Sequence, residues 1–229
     1  MSTQLQSTAL LLFLRSEQDE ARYKPLAGDQ KASVALFRRF NRYAIQQSRR
    51  TGLPLFVIQG DQQVGATFGE RLANAYQSVF DLGYERVIAI GNDCPELTTA
   101  LLLEAASTLE QHAMVLGPTQ DGGAYLIGLQ RSAFNLAAFA NLPWQTDTVY
   151  EALQALANDA VAVLSTSFDV DRPQTLGRQL WRVPIALRRV LSRLMGQRSG
   201  DVFPLPGMRF RAVFLHSIGL RAPPLPVFL

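Results

Sequence analysis

The sequence predicts an α/β fold, a three-layer sandwich with a mostly parallel sheet between two layers of helices. Three observations predict it. Short, unbroken apolar runs alternate with longer segments whose apolar residues recur at helical spacing. The links between the two kinds of segment are short. Finally, 48% of the 229 residues are apolar and only 18% are charged, a balance that supports a buried core and excludes a disordered chain.

Ala9–Leu14 is a continuous apolar run of the kind found in strands covered on both faces. Ala32–Gln47 carries Val34, Phe37, Phe40 and Ala44 at helical spacing with arginines between them. Pro54–Ile58 predicts a second buried strand, and Phe68–Leu82 a helix with Leu72, Ala75, Val79 and Leu82 on one stripe. Arg86–Ile90 is a third strand, ended by Gly91. Glu96–Leu109 follows as a helix, started by Pro95. Ala113–Leu116 is a fourth strand, stopped by Gly117 and Pro118, and Ala124–Leu129 is a further one. Asp147–Ala157 has a helical pattern and Ala160–Leu164 that of a short strand. From Leu176 to Leu194 the spacing of Leu180, Val183, Leu187 and Leu191 predicts one basic amphipathic helix. No internal repeat is found.

The length suits one domain, residues 1–175, with an appendage over 176–229 that packs on the domain or on a partner subunit. No run reaches the roughly 20 apolar residues of a membrane helix. The stretch Thr8–Leu14 lacks the basic flank of a signal peptide, so the expected location is cytoplasmic. One cysteine excludes a disulfide framework or a zinc cluster, and Cys94 itself suits a small core residue. From residue 176 onward nine arginines face a single acid, so the appendage carries +8 and residues 1–175 carry −5 of the net +3. Those arginines are spread along an amphipathic pattern instead of clustering with aromatic platforms. That argues against nucleic acid as a partner and for packing within the chain or in a homodimer.

In a parallel sheet, ligands gather at the carboxyl ends of the strands. The polar residues there are Gly91-Asn92-Asp93 after the third strand, Thr119-Gln120-Asp121-Gly122-Gly123 after the fourth, and Asp169-Val170-Asp171 after the last. Carboxylates brought together in this way suit a hard divalent cation and a phosphate-bearing ligand. Aspartate is equally at home in turns and helix caps, so spacing alone leaves both readings open.

The same residues carry a resemblance. Gly91-Asn92-Asp93-Cys94-Pro95-Glu96-Leu97 resembles the G-T-D-C-P-x-L signature of bacterial GT-A-like transferases of domain-of-unknown-function family 2064, the selenium-domain-associated transferase 1 type. Gly117–Leu129 is similar to that family's G-P-x-x-D-G-G-Y-Y-L-I-G-L segment. Phe68–Ala75 resembles its L-G-E-R-L-x-x-A helix start, Trp144-Gln145-Thr146 its W-G/S-T, and Asp169-Val170-Asp171 its D-V-D. The matches run in order across residues 8–175.

The resemblance implies a nucleotide-diphospho-sugar transferase fold, GT-A-like and Rossmann-like. It also implies a transferase with a nucleotide-sugar or nucleoside triphosphate donor and a small-molecule acceptor. By the same resemblance Asp93, with Asp169 or Asp171, would hold Mg²⁺ or Mn²⁺. Arg15, Lys24, Arg71 and Asn92 would meet nucleotide and phosphate, Asp121 would orient or deprotonate an acceptor hydroxyl, and Gly122, Gly123, Trp144 and Thr146 would shape the acceptor pocket. The family's first loop, roughly R-x-P-x-x-G-x-x-K-T-R-L, is here Arg15–Leu26, with Glu17, Asp19 and Glu20 introduced and Pro25 in place of a threonine. Acids in an anion-binding loop support a second reading, a non-catalytic descendant that binds a nucleotide or a partner.

Overall fold

The structure, a computed structural model, describes residues 7–27, 29–157, 160–170 and 173–194. Six strands form one sheet in the order β2-β1-β3-β5-β4-β6: β1 Thr8–Leu14, β2 Leu55–Gln59, β3 Arg86–Ile90, β4 Met114–Pro118, β5 Ala124–Gln130 and β6 Val161–Val163. All pairs are parallel except those made by β5, which runs antiparallel to both β3 and β4. Only Thr119–Gly123 separates β4 from β5, and five residues cannot carry a crossover, so the chain must turn straight back.

The pleat of β1 divides the core. Ala9 and Leu11 point to one face, with Leu72, Tyr76 and Phe80 of helix α3 (Phe68–Asp81) and Leu153 of α6 (Val149–Leu156). Leu10, Leu12 and Leu14 point to the other, with Ala44 of α2 (Gln30–Arg50) and Leu102 and Ala105 of α4 (Thr99–Thr108). This is the predicted three-layer sandwich. Element bounds differ from those read in the sequence by a few residues, as expected where caps decide the ends. Asp29 caps α2 by accepting from the amide of Ala32, and Thr98 caps α4 by accepting from that of Leu101.

Three regions depart from the sequence reading. The segment after β1 is not a loop: Glu17–Tyr23 forms helix α1, capped by the Ser16 side chain. Its three acids sit in the first turn, where they complement the helix dipole. A short helix, α5 (Leu136–Ala140), also goes unpredicted. The expected single helix over 176–194 is two, α7 (Pro173–Gln179) and α8 (Ile185–Leu194). Pro184 has no N–H to donate and biases Val183 away from helical angles, and Arg188 donates to the freed carbonyls of Trp181 and Val183. The apolar stripe survives the break. Leu176, Leu180, Val183, Leu187 and Leu191 are all buried against Leu36, Phe37 and Phe40 of α2 and against Phe168 and Val170. Among the described residues no helix is long and apolar enough to cross a membrane.

Candidate functional site

β1 connects to β2 on one side of it, while β3, its neighbour on the other side, connects onward to β4. The chain thus diverges between β1 and β3, and a crevice opens at their carboxyl ends. A cleft of about 490 Å³ lies there. Arg15 enters it directly after β1, and Gly91, Asn92 and Asp93 directly after β3. Asp121 and Gly123 come from the β4–β5 turn, which the antiparallel return brings level with the end of β3. Asp169 arrives on the stretch after β6, which the Thr119–Ser167 bridge holds beside that turn. Arg71 of α3, with Trp144 and Thr146, closes the remaining side.

Ten of the twelve residues singled out in the sequence therefore line one cleft. Gly122 does not; it sits in the same turn between Asp121 and Gly123, packed against the Asp147 backbone. Its φ is +87°, and a Cβ there would lie 2.0 Å from the carbonyl oxygen of Asp147, so only glycine fits. Asp171 falls outside the described residues.

The polar end is dominated by one cation. Lys24 Nζ lies 3.0 Å from Asp93 Oδ2 and 3.3 Å from Glu20 Oε1, with the three side chains only 20%, 26% and 8% exposed. Burial by itself would raise the pKa of Asp93. Lys24, by charge and hydrogen bond, and Arg15, by charge, overcome that and hold the carboxyl below its ordinary 3.8. The acids that entered the first segment are largely accounted for elsewhere. Glu17 accepts from Asn41, and Asp19 pairs with Arg22 and Ser16. Of the three, only Glu20 faces the cleft.

Asn92 is buried and donates to Asn41 Oδ1 at 2.6 Å, which ties the β3 loop to α2. Asp121 Oδ1 accepts from Thr119 Oγ1 at 2.5 Å and from the Gly123 amide at 3.3 Å, so one carboxylate oxygen is committed to shaping its own turn. Thr146 donates its hydroxyl to the Pro143 carbonyl. Glu70 closes a capping box with Thr67, while Arg71 donates to the Ala66 carbonyl from the rim. Trp144 does two jobs: it packs on Phe68 and Phe139 and also forms cleft wall. Gly69 makes this possible, since a Cβ there would lie 2.4 Å from the indole ring. Cys94 is buried, its thiol pushed up to about 12 chiefly by that burial.

Sequence reasoning missed several lining residues. Phe13 and Phe68 form an aromatic floor, edge to face at 5.9 Å. Gln145 and Asp147 flank Thr146, and Gln145 holds a φ of +65° at the position where the resembling motif has glycine or serine. Their closeness to Trp144 in sequence was the available signal.

A divalent cation needs several hard oxygens. Asp93 and Asp169 supply carboxylates within one cleft, and the Val170 amide donates to the Asp93 carbonyl at 2.9 Å, holding the two stretches together. The donor chemistry fits Mg²⁺ or Mn²⁺. Among the described residues, however, no three metal-ligating side chains cluster closely enough to form a complete site.

Comparison with known proteins agrees with this frame. A crystal structure described as a "putative nucleotide-diphospho-sugar transferase" from Desulfovibrio desulfuricans G20 is 25% identical, with a TM-score of 0.71, over 83% of this chain and 97% of that one. Looser likenesses include a manganese complex of Rv0371c from Mycobacterium tuberculosis H37Rv (15% identity, TM-score 0.39, 83% and 99% covered). Another is a CMP:2-keto-3-deoxy-manno-octonic acid synthetase with CTP (12% identity, TM-score 0.38, 81% and 98% covered). None of the curated proteins matches the chain. The fold is that of the nucleotide-diphospho-sugar transferases. A family model described as "Uncharacterized protein conserved in bacteria (DUF2064)" matches residues 30–146, just over half the chain, and includes the β3 loop and the β4–β5 turn that build the cleft. The chain belongs to the DUF2064 family.

Proposed function

We propose that the protein is a metal-dependent transferase taking a nucleotide-sugar or a nucleoside triphosphate as donor and a small molecule as acceptor, with glycosyl transfer the first choice. The observation that carries this is the convergence of Asp93, Asp121 and Asp169 with Arg15, Lys24 and Arg71 in one cleft at the strand ends. The 25% identical relative, described as a nucleotide-diphospho-sugar transferase of putative standing, supports the same class.

Asp93 and Asp169, with Asp171, would hold Mg²⁺ or Mn²⁺. When bound, the metal would neutralise charge on the donor's diphosphate. Arg15, Lys24 and Arg71 balance the remaining phosphate charge, Lys24 by leaving its two carboxylate partners for the ligand. Asp121 orients an acceptor hydroxyl and receives its proton through the oxygen not engaged by Thr119 and Gly123. Trp144 and Gly123 wall the acceptor side.

One observation favours a second reading, a non-catalytic nucleotide- or partner-binding protein: Lys24 is ion-paired to both Asp93 and Glu20, so its charge is engaged within the protein itself. Titration calorimetry against a panel of nucleotides and nucleotide-sugars, with and without Mn²⁺, separates the two. Metal-dependent binding that Asp93→Ala weakens at least about tenfold is expected. Silence across the whole panel would overturn the donor-binding reading and leave only the partner-binding form of the second.

A further inference from the structure

We infer that Arg182 is a positioning residue for the cleft: from the turn between α7 and α8 it clamps together the three loops that carry Asp93, Asp121 and Asp169. The inference rests on the reading of those aspartates as ligand-holding groups. Arg182 Nε donates to Glu96 Oε1 at 2.7 Å and Nη2 to Glu96 Oε2 at 2.6 Å, with both side chains only about one-fifth exposed (20% and 22%). A two-pronged guanidinium–carboxylate pair fixes direction as well as distance, which a single-point ammonium does not.

Glu96 lies three residues beyond Asp93 on the β3 loop. Its Oε2 also accepts from the Ser167 hydroxyl at 2.7 Å, and Ser167 lies two residues before Asp169. Ser167 in turn grips the third loop through its backbone. Its amide donates to the Pro118 carbonyl at 3.0 Å, and its carbonyl accepts from Gln120, next to Asp121, at 3.2 Å. The Val170 amide donates to the Asp93 carbonyl, completing the circuit. The Arg182 guanidinium also lies 5.1 Å from the centre of the Phe168 ring, so one cation holds the Asp169 loop from a second direction. Arg182 itself does not line the cleft, and it stands beyond the stretch the family model covers. It acts through Glu96 and Ser167.

Full-length Arg182→Met and Arg182→Lys proteins test this with two readouts. The first needs no ligand: exchange rates of the Gln120 and Val170 amides should rise about tenfold in Arg182→Met and less in Arg182→Lys, with β1 and β3 amides unchanged. The second is Mn²⁺ alone, followed by electron paramagnetic resonance, with affinity falling about tenfold in Arg182→Met. Wild-type exchange at Gln120 and Val170 in Arg182→Met would overturn the inference. So would an equal rise across β1 and β3, which marks general loss of stability. If the wild-type protein binds no Mn²⁺, the metal reading fails while the exchange rates still decide whether Arg182 clamps the loops.

Discussion

Lys24 shows how one side chain can be read two ways. Its pairing with Asp93 and Glu20 stabilises the fold, yet it occupies the position from which a phosphate would be met. The pKa of Asp93 is depressed, so its contribution to stability is present above the ordinary carboxylate value of 3.8 and is lost as pH falls through the lower folded value. Lys24→Met should therefore cost about 1 to 3 kcal/mol at neutral pH, with the gap to wild type narrowing below pH 3.8 in acid-denaturation curves. A gap that stays constant with pH would mean the pair is not the source. Gly122 offers a second residue-scale test. Gly122→Ala adds a clash with Asp147 to a left-handed backbone, whereas Gly83→Ala, at φ +98° with nothing within 4 Å, meets only the backbone penalty. Thermal melts should show about 1 kcal/mol lost for Gly83→Ala and clearly more for Gly122→Ala.

At the level of elements, the strands were legible because each is covered on both faces and is written as a plain apolar run, Ala9–Leu14 above all. Helix α1 was not, although Ser16 followed by Glu17, Asp19 and Glu20 is a helix-start signal. Its apolar content is slight, with Glu20 and Ala21 its only buried residues, so no stripe announced it. The α7–α8 break was marked by Pro184, but Leu180, Val183, Leu187 and Leu191 kept helical spacing across it and hid the turn. Both helices matter to the fold through that stripe. Leu191→Ala, fully buried against α2, should cost about 2 to 5 kcal/mol in denaturant unfolding. A cost near zero would show that α8 does not dock on the domain in solution.

Across the whole molecule, the cleft was legible in proportion to its dependence on sheet topology. Asp93, Asp121 and Asp169 follow strands, and a mostly parallel sheet brings strand ends together whatever the side chains do. Arg182 was invisible among nine arginines because its partner lies 86 residues away and no local pattern records such a pairing. The sheet also sets a gradient of protection. Hydrogen exchange should be slowest in β1 and β3, central and buried, and much faster in β6, a three-residue edge strand with Val163 half exposed. Equal protection of β6 and β1 would contradict this layering. The Arg182–Glu96 contact has one more consequence, which concerns time. Arg182 follows every strand in chain order, so a ribosome delivering the amino terminus first releases the complete sheet and all three acid-bearing loops before the residue that fastens them. During synthesis the frame is finished before its clasp, and a chain halted after residue 170 would carry all three acid-bearing loops without the residue that fastens them.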